Sequence, residues 1–216
     1  MTKRPQAGYP GPVYHVVNRA TKGQLLFEDF GEYLTFLRIL AKVLDEHPVH
    51  LFAFSLMPNH LHLLLQPAED RHLGPFMYDL TKTHAIAVRR WRGDLGAGAL
   101  FKGRYRPSLV QTDAYFYTAA RYVVRNPSRA GLVERPRDWL WGSASRIPET
   151  QGVRLAPWPV PRPERWDEYV NEVEPASELS FVRRCVRTGA PLANPFSDLE
   201  DPALVRVPSI VITDKP

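Results

Sequence analysis

Residues 57 to 66 read MPNHLHLLLQ and set two imidazoles one residue apart. In a strand, residues two apart share a face, so His60, His62, Leu64 and Gln66 point one way and Leu61, Leu63 and Leu65 the other. The leucine side is the natural core face, which turns the imidazoles toward a cleft or solvent. Neutral imidazoles this close can hold one divalent ion between them. With no thiolate framework in the chain, they suit a catalytic ion that keeps positions open for water or phosphate. A third ligand must then come from elsewhere, and without one the pair reads as two exposed histidines on a strand.

A second stretch, TDAYFYTAARYVVRNPSRAGLV, is rich in tyrosine. On a helix Tyr115, Tyr122 and Asn126 lie along one side, while Phe116, Ala120 and Val123 form a neighbouring stripe suited to core packing. Tyr115 and Tyr117 read as core aromatics. Tyr122 differs because Asn126, one turn on, offers an amide oxygen beside the phenol. That pair can complete an ion site and present a nucleophile to it.

The elements that must position these groups follow from periodicity. PVYHVVNR, from residue 12, alternates as a strand, on which His15 could face the site, although a structural role is favoured. Glu28 and Asp29 precede a helix over 31–46, which Pro48 ends. VHLFAFSL and HLHLLLQ are strands joined by a tight connection at Met57-Pro58-Asn59. A helix from Pro75 to Trp91, a glycine-rich loop and a basic strand, FKGRYRPSLVQ, come next. Asp113 is the expected N-cap of a helix from Ala114 to about Asn126, where Pro127 intervenes. This order predicts an α+β fold with a mostly antiparallel sheet and helices packed on one face.

After about residue 150 the character changes. APWPVPRPERW reads as an extended linker or strap, and WDEYVNEVEPASELSFVRRCVRTG as one or two short amphipathic helices. The last stretch, NPFSDLEDPALVRVPSIVITDKP, reads as acidic, proline-broken and mobile. The expected division is thus 1–150 for the main domain and 151–216 for a proline-rich, partly helical extension.

The 216 residues carry a net charge of +5, but unevenly: +7 before residue 151 and −2 after it. A basic globular part suggests a polyanionic partner. No stretch is apolar enough to span a bilayer, and no apolar run follows the basic N-terminus, so neither a membrane nor a secreted location is expected. The single cysteine, Cys185, fits a reducing cytoplasm.

Taken together, MPNHLHLLLQP, FKGRYRPSLV and ARYVVRNPSRAGLV resemble the HUH single-tyrosine transposases of the insertion sequence 200-like group, and within it the REP-associated branch. YHVVNRATKGQLLFED fits the start of that family, so the resemblance covers about residues 9 to 145. It implies a ferredoxin-like sheet, His60 and His62 as metal-binding pair with Asn126 as third ligand, and Tyr122 as nucleophile. It also implies Mg²⁺ or Mn²⁺, a single-stranded DNA substrate near a hairpin, a 5′-phosphotyrosine intermediate, and a monomer or homodimer. The chemistry suits the residues. A phenol keeps the phosphodiester energy in a phosphotyrosine linkage, and an ion can offset its ordinary pKa of about 10 by polarising the phosphate.

Phosphate contacts are expected from Arg104 and Arg106 on one strand face, from Lys82, Arg89 and Arg90 on the preceding helix, and from Arg121, Arg125 and Arg129 around the tyrosine. The alternatives are a solvated basic face, a catalytically silent single-stranded DNA-binding regulator, and a phosphodiesterase that uses water with Tyr122 structural.

Overall fold

In the computed structural model, which describes residues 11–193, the alternating segments form four strands. These are β1 (Val13–Arg19), β2 (Val49–Met57), β3 (His60–Pro67) and β4 (Arg106–Val110). They make one sheet in the order β2-β3-β1-β4, antiparallel throughout. Helix α1 (Phe30–Glu46) joins β1 to β2, and α2 (Leu73–Arg92) joins β3 to β4. The result is the ferredoxin-like βαββαβ arrangement expected above.

Local chemistry sets the ends of the crossover helices. Asp29 caps α1 by accepting a hydrogen bond from the Glu32 N–H at 2.9 Å, and the helix stops before Pro48. Gly93, in the left-handed region at φ 70°, closes α2. Both helices cover the leucine face of β3: Leu37 and Leu40 from α1 and Phe76 and Leu80 from α2 pack against Leu61, Leu63, Leu65 and Val16.

The opposite face is not left open. Helix α3 (Asp113–Val124), the short helices α4 (Asn126–Arg129) and α5 (Ile147–Thr150), and then α6 (Trp166–Asn171) and α7 (Ala176–Thr188) complete the chain. Phe116, Ala119, Ala120 and Val123 of α3 pack on Val13, Val17, Leu64, Phe52 and Ala53, with Trp166, Tyr169, Phe181, Val182 and Cys185 of α6 and α7 behind them. The expected helices on one face are therefore α1 and α2, and a second helical layer buries the other face. A β-bulge makes this possible in β2. Leu51 pairs with Leu65 but Ala53 with Leu64, so the extra residue re-phases the strand and gives each face its apolar set.

Three boundaries differ from expectation. Thr112, not Asp113, caps α3, with its hydroxyl accepting from the Tyr115 N–H, and Asp113 occupies the first turn. That helix stops at Val124 because Pro127 lacks the N–H that would bond back, and Asn126 opens a new turn. The basic strand is shorter than FKGRYRPSLVQ. Gly103 turns the chain at φ 69°, and regular pairing begins only at Arg106. The acidic end read as mobile, beginning at residue 194, lies outside the described residues. Among the described residues no helix is long and apolar enough to cross a membrane.

Candidate active site

Pairing of β1 with β3 sets His62 opposite Val17 and His15 opposite Leu64, so the two histidines are diagonal neighbours on one sheet face. Nε2 of His15 lies 2.8 Å from Nδ1 of His62. On its other side His62 presents Nε2 to the Asn126 amide, 2.6 Å away. An amide NH₂ only donates, so His62 Nε2 accepts and its proton sits on Nδ1, shared with His15. His60 is set the same way: the Asn59 carbonyl oxygen, 2.7 Å off, can only accept, which puts the His60 proton on Nδ1, while the ring also hydrogen-bonds Asn126. The two metal-pair candidates thus spend Nδ1 on a supporting partner, and both meet Asn126, the third candidate ligand.

Burial makes these imidazoles neutral. It pushes the pKa of His15 down to about 3 and of His60 down to about 4, with Arg129 adding to the first and Arg19 to the second. It also carries His62 well below the ordinary value, helped by its two histidine neighbours. The expected exposure of the pair holds only for His60, which is half-buried; His62 is 1% exposed, because α3 and α7 cover this face of the sheet.

Helix α3 brings Tyr122 to the same spot, although 60 residues separate it from His62. Its ring packs edge-on against His62 at 5.7 Å and against His15 at 5.6 Å between centroids. Arg129 stacks on it, 3.9 Å from the ring centre, and donates to the Tyr122 carbonyl oxygen at 2.7 Å. Glu174, from the segment between α6 and α7, holds Arg129 at 2.5 Å and Arg125 at 2.8 Å. The tyrosine is therefore clamped between imidazoles and a guanidinium, with Asn126 beside it.

These groups line a cleft of about 610 Å³ that also receives Arg19, Lys102, Arg104, Arg106, Arg183 and Arg187. With Arg129 this makes seven cationic side chains and no carboxylate. Such a surface attracts polyanions electrostatically.

Of the expected phosphate-contacting residues, Arg104, Arg106 and Arg129 reach the cleft. Arg104 does so from the turn before β4, not from a shared strand face. Lys82, Arg89 and Arg90 do not reach it, because α2 lies on the leucine face, across the sheet from the imidazoles. Arg89 is buried there and ties the glycine-rich loop through Asp94, Gln24 and the Gly98 carbonyl. Arg121 and Arg125 are buried and fasten α3 to the extension. Arg121 donates to the Glu172 carbonyl, and Arg125 pairs with Glu174 and donates to the Val170 carbonyl.

The sequence pattern does not single out Asn59, Arg19, Lys102, Arg183 or Arg187; for His15 it allows a place facing the site but favours a structural role. Asn59 stood next to His60, and Arg19 lies opposite His60 in the sheet register, so both were within reach of the strand argument.

Among the described residues no group of three or more His, Cys, Asp or Glu side chains could hold a metal ion. An ion held here would rest on two imidazoles and the Asn126 amide. Turned about its last torsion, that side chain offers its carbonyl oxygen in place of the NH₂. Neutral nitrogens facing a cleft without carboxylates fit a divalent ion with open positions for phosphate.

The family described as transposase IS200 like matches residues 11–126, more than half of the chain. Among solved structures the chain is similar to a REP-associated tyrosine transposase bound to a REP hairpin. The two share 17% identity at a TM-score of 0.51, over 66% of this chain and 82% of that one. At that identity the likeness establishes the fold. No curated protein matches.

Proposed function

The chain belongs to the IS200-like transposase family, and from that premise we propose that Tyr122 cuts and rejoins single-stranded DNA through a 5′-phosphotyrosine intermediate. The observation that carries this reading is the convergence of Tyr122, Asn126 and the Nε2 atoms of His60 and His62 in one cleft with seven cations and no acid.

In the forward step the Tyr122 hydroxyl oxygen bonds to phosphorus and the bond to the 3′-oxygen breaks. The phenol gives up one proton and the departing 3′-oxygen takes up one. A free 3′-hydroxyl remains and can later attack the phosphotyrosine, releasing the phenol. Arg129 and the flanking imidazoles hold the ring, so little orientational freedom is lost when substrate binds. Cations at the cleft mouth, Lys102, Arg104 and Arg106, bind backbone phosphates. His60, His62 and Asn126 would hold Mg²⁺ or Mn²⁺, which when bound supplies Lewis-acid polarisation of the scissile phosphate.

The substrate we favour is a strand that folds into a hairpin. The structural neighbour was solved with a REP hairpin, and the cations that line this chain's cleft suit the backbone of a single strand. The test incubates the protein with end-labelled hairpin DNA and Mn²⁺. A labelled covalent adduct, absent in Tyr122→Phe, is expected. Cleavage that survives Tyr122→Phe would assign the reaction to water, and binding with neither adduct nor cleavage would leave a DNA-binding regulator.

A further inference from the structure

The family match ends at residue 126, yet two of the cleft's cations stand on α7, more than fifty residues later. Arg183 and Arg187 are one helical turn apart and so share a face. Both are exposed, while Phe181, Val182, Cys185 and Val186 of the same helix turn inward to the second core. The arginines of α3 and α4 meet carboxylates: Arg121 faces Glu178, and Arg125 and Arg129 share Glu174. Among the described residues no carboxylate forms an ion pair with Arg183 or Arg187. Both side chains line one cleft with their charges unpaired, so they are available to a bound anion.

The helix that carries them is fixed to the sheet. Ser108 of β4 donates to the Cys185 carbonyl at 3.1 Å, and Arg106 donates to the Arg187 carbonyl at 2.5 Å. Past the helix, Leu192 pairs with β4 at its open edge: its N–H donates to the Leu109 carbonyl at 2.7 Å, and its carbonyl accepts from Gln111 at 3.2 Å. Arg184, next in sequence, has the same charge and exposure but leans over Phe181 and does not line the cleft. Helical geometry, about 100° per residue, turns Arg184 away from the face that Arg183 and Arg187 share, so it is a control of equal charge off the cleft.

We propose that α7 is a phosphate clamp: Arg183 and Arg187 grip the sugar–phosphate backbone of the substrate single strand across the cleft from Tyr122, at phosphates other than the one cut. This rests on the DNA-cutting reading given above. It assigns to the extension a part in substrate binding, whereas its net charge of −2 from residue 151 on suggests none.

Binding of a fluorescent hairpin oligonucleotide to full-length Tyr122→Phe protein, measured over a series of salt concentrations, tests the clamp. Each of Arg183→Ala and Arg187→Ala should lower the slope of log K against log salt by about 0.7, the value for one single-strand phosphate contact. Arg183→Lys and Arg187→Lys should restore the slope, and Arg184→Ala should leave it unchanged. Unchanged slopes in the two alanine variants, equal losses in all three, or no binding of the oligonucleotide by the parent protein would each overturn the clamp. Adduct formation by the Tyr122 protein is scored separately, so a clamp that fails while the adduct forms leaves the cutting reading intact. A clamp that holds while no adduct forms leaves a DNA-binding protein.

Discussion

Nε2 of His15 lies 2.8 Å from Nδ1 of His62, and both rings are buried beneath Tyr122. With the proton of His62 on Nδ1, His15 accepts it and His62 keeps the Nε2 lone pair on the side of Asn126. The remaining nitrogen of His15, Nδ1, is a buried donor with no partner among the described residues. Such an orphan costs about 1–3 kcal/mol. A purely structural residue at position 15 would avoid that cost, so the histidine is better explained by what it does for His62.

Replacing His15 by Phe removes the acceptor and leaves the ring of His62 free to hold its proton on either nitrogen. Affinity for Mn²⁺, measured by calorimetry on the isolated protein, should fall about 10–100-fold, the usual effect of losing a supporting partner of a ligand. An affinity equal to that of the parent would show that His15 only packs.

Glu174 is the shared counter-ion of Arg125 and Arg129, and all three are largely buried. Truncation to Ala strands two guanidinium groups in the interior. Removing one partner of a buried pair costs about 3–5 kcal/mol, so Glu174→Ala should lower the midpoint of urea unfolding accordingly. Because Arg129 is the group stacked on Tyr122, the rate of adduct formation should fall even at temperatures where the variant is folded. A variant as stable as the parent would mean that the pairing is not what holds the extension to α3.

His84 gives a pH signature away from the cleft. It is buried in the leucine-side core, with Nε2 3.1 Å from the Leu26 carbonyl oxygen, and burial pushes its pKa down to about 3. The unfolded chain takes up a proton near pH 6.5, while the folded one does not until about pH 3. Stability from this group is therefore complete above pH 6.5 and declines as pH falls through the window between those values. The slope is about 1.4 kcal/mol per pH unit for one such histidine. In denaturant titrations at pH 7.5 and 5.0, His84→Gln should show a shallower acid loss than the parent. Identical pH dependence would contradict the assignment.

Much of the fold was legible because alternation and helical periodicity report burial directly. The leucine stripe of β3 and the apolar faces of α1 and α2 are one statement made twice. His60, His62, Tyr122 and Asn126 were legible as chemistry from residue type and spacing, and the fold brings them together. What pairing and docking decide was not legible. The contact between His15 and His62 depends on the register of β1 against β3, which no single strand encodes. The burial of His62 depends on a second helical layer. Lys82, Arg89 and Arg90 followed the cleft in sequence, but α2 sits on the leucine face. Arg183 and Arg187 were hidden by arithmetic, since a segment with more acids than bases can still turn two cations to one side of a helix.

The central claim is that Tyr122 becomes covalently attached to DNA. The most direct measurement is mass spectrometry of the protein after reaction with a short hairpin substrate and Mn²⁺, followed by proteolysis and nuclease trimming. The peptide that contains Tyr122 should carry a 5′-linked nucleotide on the phenolic oxygen. Cleaved DNA with an unmodified Tyr122 peptide, or a nucleotide mapped to Tyr115 or Tyr117, would contradict it.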